Sequence, residues 1–89
     1  MLEREVYLFM LDLFPLTDVL VDKDGSLSAL LRSKSLDLLL AAQAGFPCKN
    51  LLLQIETLVK LSGDLGYIDE EVNKFLLDGI NRMAQDNWE

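Results

Sequence analysis

The sequence has no histidine, one cysteine and two prolines among its 89 residues, and its 8 cationic side chains face 15 anionic ones. Each shortage excludes something. Without histidine, the side chain that most readily moves protons near neutral pH is missing. Cys48 stands alone, so no disulfide forms within the chain. One thiolate and no imidazole also fall short of the four ligands of a structural zinc site. A lone thiol fits a reducing compartment, and a cytoplasmic location is expected. No unbroken apolar run exceeds residues 6–11, far below the ~20 residues that cross a bilayer. No basic, apolar, small-residue leader pattern is visible, so a secreted fate is not expected.

The charge balance has a further consequence. A net charge of −7 repels phosphate backbones and anionic membrane surfaces, whose affinity for proteins comes largely from Lys and Arg. Nucleic acid and membrane are therefore not the expected partners.

Catalytic sets are missing. Cys48 would need an activating base to act as a nucleophile. Its place beside Pro47, near a helix start, is one that lowers a thiol pKa, but no imidazole is available. The run Asp22-Lys23-Asp24-Gly25-Ser26 has the look of a calcium loop. Its glycine comes too early, however, and Ser33 stands where the closing glutamate belongs. An enzyme is not expected, nor is a cofactor or metal.

What remains is leucine: 21 of the 89 residues, with few β-branched side chains. This composition favours helix. One domain, 1–89, is expected, an all-α bundle of four to five helices. The pattern predicts helices over 3–14, 27–32, 36–44, 47–62 and 70–85. Pro15 is expected to stop or kink the first. Ser26, Ser35 and Asp69 are N-cap candidates, Gly45 and Gly63 are expected ends, and Pro47 suits a first helical position. A second reading of 18–30 makes a small β-hairpin from Val19, Val21 and the Asp-Lys-Asp-Gly turn.

The last helix gathers Val72, Phe75, Leu76, Ile80 and Met83 on one predicted core face, and Gly79 suggests a close helix contact. The helix at 36–44 is apolar nearly all round, which predicts central burial. Elsewhere leucines are left over. Leu8 falls among Arg4, Glu5 and Asp12, and Leu53 falls near Thr57 and Lys60. Leu8, Leu53 and Leu61 are thus candidate partner-binding residues. Trp88 either packs back on the bundle or serves as an anchor, a role in which tryptophan is enriched.

One segment has a known likeness. Leu40-Ala41-Ala42-Gln43-Ala44-Gly45-Phe46, followed by Leu51, resembles the helix-turn-helix of small repressor-type regulators, with a pair of helices within 36–62. The resemblance spans about 20 residues. It implies that the second helix of the pair lies in the DNA major groove. That helix offers Leu52, Leu53, Gln54 and Glu56 with only Lys49 basic near its start, so the DNA contacts of the family carry over poorly.

The sequence therefore points first to a small acidic helical adaptor, inhibitor or regulatory subunit that binds a partner protein or itself as a homodimer. The alternatives are a helix-turn-helix DNA-binding regulator, or an acidic mimic of nucleic acid using Asp64, Asp69, Glu70, Glu71 and Asp78.

Overall fold

The structure, a computed structural model, describes residues 2–87. It comprises four helices: α1 Leu2–Leu20, α2 Gly25–Ala44, α3 Lys49–Asp64 and α4 Glu70–Asn87. No strand occurs among the described residues. The helices form a four-membered ring. Helices α1 and α3 each pack on α2 and α4, and the diagonal backbones stay further apart across a shared core. No described helix is long and apolar enough to cross a membrane.

Helix α1 continues through Pro15, where the sequence predicts a stop or a kink; it does not stop there. Pro15 lacks the N–H that the Leu11 carbonyl would accept. The apolar stripe Val6, Met10, Leu13 nevertheless continues beyond it to Thr17 and Leu20, all fully or nearly fully buried. Burying a leucine contributes roughly 1.5–3 kcal/mol, of the same order as the ~3 kcal/mol a mid-helix proline costs. Side-chain hydrogen bonds consolidate the passage. Thr17 Oγ1 donates to the Phe14 carbonyl at 2.7 Å, and Ser28 Oγ donates to the Thr17 carbonyl at 2.7 Å. Val19 and Val21 consequently lie in α1 and the turn after it, not in a hairpin.

Helix α2 is one 20-residue element where the sequence suggests two short ones. Its N-cap is Asp24, not Ser26: the backbone there is extended and the carboxylate accepts the Leu27 N–H at 3.0 Å. Ser35 does not cap a second helix. It lies fully buried on the same stripe as Leu27, Leu31 and Leu38, so burial carries the helix through it. The C-terminal end is as expected. Gly45 adopts φ 77°, and the Phe46 N–H bonds the Ala41 carbonyl at 2.9 Å, a Schellman closure that glycine makes at no steric cost.

Pro47 lies two residues ahead of α3, whose N-cap position is taken by Cys48. Gly63 lies inside α3, which ends at Asp64 with Leu65 at the cap position, and Gly66 takes the positive φ of 76°. The Tyr67 N–H closes back on the Ser62 carbonyl at 3.0 Å. Helix α4 is rotated from its expected setting. Leu76, Ile80 and Met83 are buried, but Val72 and Phe75 are exposed.

Candidate functional site

The ring leaves apolar side chains on its outside, and their distribution defines the candidate site. Helix α1 carries two stripes. The inner one, Val6 to Leu20, fills the core. The second, Tyr7, Leu11 and Phe14, lies about 100° further round and faces outward beside α2. Helix α2 repeats the arrangement with Leu36, Leu39 and Leu40 outside its buried stripe. Tyr7, Leu11 and Leu40 are 55%, 56% and 62% exposed, far more than side chains of this size show in a core.

Between the two helices runs a groove of about 400 Å³, lined by Tyr7, Met10, Leu11, Phe14, Pro15, Asp18 and Leu39. Beside it, toward the N-terminal end of α1, lies a second hollow of about 330 Å³ that shares Tyr7 and Leu39 with it and is also bounded by Glu3, Arg4 and Gln43. Pro15 contributes its ring as apolar surface, in addition to interrupting the hydrogen-bond ladder.

Polar clasps close the groove at both ends. At one end Gln43 Nε2 donates to Glu3 Oε2 at 3.1 Å. At the other, Arg32 lies across α1. Its guanidinium stacks 4.9 Å over the Phe14 ring, donates through Nε to Thr17 Oγ1, and pairs through Nη2 with Asp18 Oδ1. The planar fork suits this triple role, since it stacks and hydrogen-bonds at once. These contacts tie α1 to α2 on either side of the groove.

The sequence-predicted residues fall elsewhere. Leu8, Leu53 and Leu61 are 46%, 44% and 45% exposed, but the fold does not bring them together. Leu8 lines a smaller groove between α1 and α4, with Phe75, Gly79 and Arg82. Leu53 lines a hollow between α3 and α4, with Glu56, Asn81 and Gln85. Leu61 stands on the outer side of α3. Trp88 lies outside the described residues. The residues missed were Tyr7, Leu11, Leu36 and Leu40. Their signal is a second apolar series beside each core stripe, spaced i, i+4, i+7 in Tyr7, Leu11 and Phe14 and i, i+3, i+4 in Leu36, Leu39 and Leu40. In the 36–44 segment the all-round apolar pattern predicts central burial, but Leu36 and Leu40 are exposed, because the outer side of α2 has no helix packed on it.

The other candidates change character too. Cys48 is buried and its thiol donates to the Phe46 carbonyl at 3.3 Å. Burial pushes its pKa up, opposite to the activation that a helix start suggested, because a thiolate loses hydration in an apolar setting. Among the described residues no group of three or more Cys, Asp or Glu is arranged to hold a metal ion. The turn and helix that resemble a helix-turn-helix become α2 and α3, but the first helix is 20 residues long. The exposed side of α3 carries Leu53 and Leu61 beside Lys49, Asn50, Gln54 and Lys60.

No protein-family model matches the chain, and no curated protein or solved structure shows significant similarity to it.

Proposed function

We propose that this chain is a small acidic protein-interaction module, of the adaptor, inhibitor or regulatory-subunit kind, that receives the apolar surface of another polypeptide on its α1/α2 face. One observation carries the reading: a groove of about 400 Å³ lined by Tyr7, Leu11, Phe14 and Leu39, with Tyr7 and Leu11 more than half exposed and Leu36 and Leu40 exposed on the same helix as Leu39. Contiguous apolar patches on small proteins mark interaction sites more often than isolated exposed leucines do. An α-helix laid into such a groove would be read through side chains one turn apart. A central aromatic and leucine cluster with a polar rim is also the arrangement that concentrates binding energy. The single, buried thiol suits a reducing, cytoplasmic setting.

The test is a comparison of wild-type protein with Leu11→Arg and Leu40→Arg, both at exposed positions. Circular dichroism and urea midpoints should be unchanged, while a protein bound by the wild type should be lost by both variants. If the wild type neither self-associates nor retains any partner through stringent washing, the reading is wrong.

A further inference from the structure

We propose that the polypeptide received on the α1/α2 face is a second copy of this chain, with α1 packed antiparallel on its symmetry mate and the twofold axis beside Leu11. This rests on reading the face as a docking surface, and it names the partner. Two observations carry it.

One is where the charge lies. The chain carries −7 overall, yet the rim of this face is balanced. Glu3 and Arg4 stand at one end, and Asp18 with Arg32 at the other. A basic partner would be drawn to the acidic remainder of the surface. Two copies of an acidic chain repel each other least where the local charge cancels.

The other is the order of groups along α1. A twofold interface requires the surface to complement itself, residue i meeting j and j meeting i. Reversal about Leu11 sets Arg4 against Asp18 of the second copy, Tyr7 against Pro15, and Leu11 against itself. Arg4 and Asp18 are each seven residues from Leu11, about 10 Å along the helix. Their charges are opposite, as the dyad demands. Arg4 makes no ion pair among the described residues. It would join the Asp18–Arg32 pair of its neighbour, in a network rather than an isolated bridge.

The experiment uses the whole chain. Light scattering of the wild type at tens of micromolar is expected to give twice the monomer mass of 10.1 kDa. In a Cys48→Ser background, Leu11→Cys is expected to cross-link to itself on mild oxidation. A residue beside the axis meets its own copy within the ~6 Å Cα separation that a disulfide spans. Leu61→Cys, on the outer side of α3, should cross-link roughly tenfold more slowly at the same concentration. Arg4→Glu, an exposed change that leaves the core intact, should weaken dimerisation about tenfold. Circular dichroism confirms the fold of each variant. A monomer mass throughout, equal cross-linking at positions 11 and 61, or no effect of Arg4→Glu overturns the antiparallel dimer. These failures separate from failure of the broader reading: a monomer that binds a different protein, and loses it on Leu11→Arg, excludes only self-pairing. A chain that takes no partner at all excludes both.

Discussion

The side chain of Asn73 on α4 occupies the space that a Cβ at Gly63 on α3 would need. Such a Cβ would overlap Asn73 Nδ2 and stand 2.6 Å from its Cγ. The two helices approach this closely only because position 63 has no side chain. Gly63→Ala should therefore cost about 1–3 kcal/mol through overpacking, despite alanine's better helix propensity. In an Asn73→Ala background the same change should become neutral or stabilising by up to about 1 kcal/mol. Urea unfolding of the four members of this cycle measures the coupling. Additive effects would show that the two residues do not share the space.

Gly79 is the opposite case. A Cβ there would meet Phe9 Cδ1 at 3.5 Å, an ordinary van der Waals contact. Gly79→Ala is expected to stabilise the protein by about 0.5–1 kcal/mol through helix propensity and to raise the thermal midpoint by a few degrees. A lower midpoint would mean that α1 and α4 sit closer together than described.

Two buried hydroxyls on the α1 and α2 stripes should respond with opposite sign. Ser35 Oγ is buried without a hydrogen-bond partner, so Ser35→Ala should stabilise by about 1 kcal/mol, removing an unpaired polar group. Thr17 Oγ1 both donates to the Phe14 carbonyl and accepts from Arg32 Nε. Thr17→Val keeps the shape but breaks this link, and should cost about 1–2 kcal/mol. Chemical denaturation distinguishes the two, and equal signs would contradict the hydrogen-bond assignments.

The thiol of Cys48 supplies a pH signature. Burial raises its pKa, so the folded state holds the proton more tightly than the unfolded state. The resulting stabilisation is complete below the unfolded thiol's value of about 8.5. It is lost as pH rises through the higher folded value. Relative to Cys48→Ser, the wild type should lose stability as pH climbs above about 8.5–9. A constant difference between the two proteins through that window would show that the thiol is not desolvated.

The sequence by itself determined the helical class and the one-turn periodicity of the inner stripes. It also placed the Gly45 closure and set the lack of a histidine or paired-cysteine chemistry. These follow from composition and from spacings of three and four residues, which need no knowledge of neighbours. Tertiary structure decided the rest. It carried α1 through Pro15, because Leu20 has a core to enter only when four helices surround it. It joined two predicted segments into α2, because Ser35 faces inward. It set Asn73 against Gly63, which are ten residues apart and meet only across a helix pair. It also set Leu8 and Leu53 in different hollows while gathering Tyr7, Leu11, Phe14 and Leu39 along one groove. A helical wheel ranks residues around a single axis. Which side of that axis stays uncovered depends on where the other three helices pack.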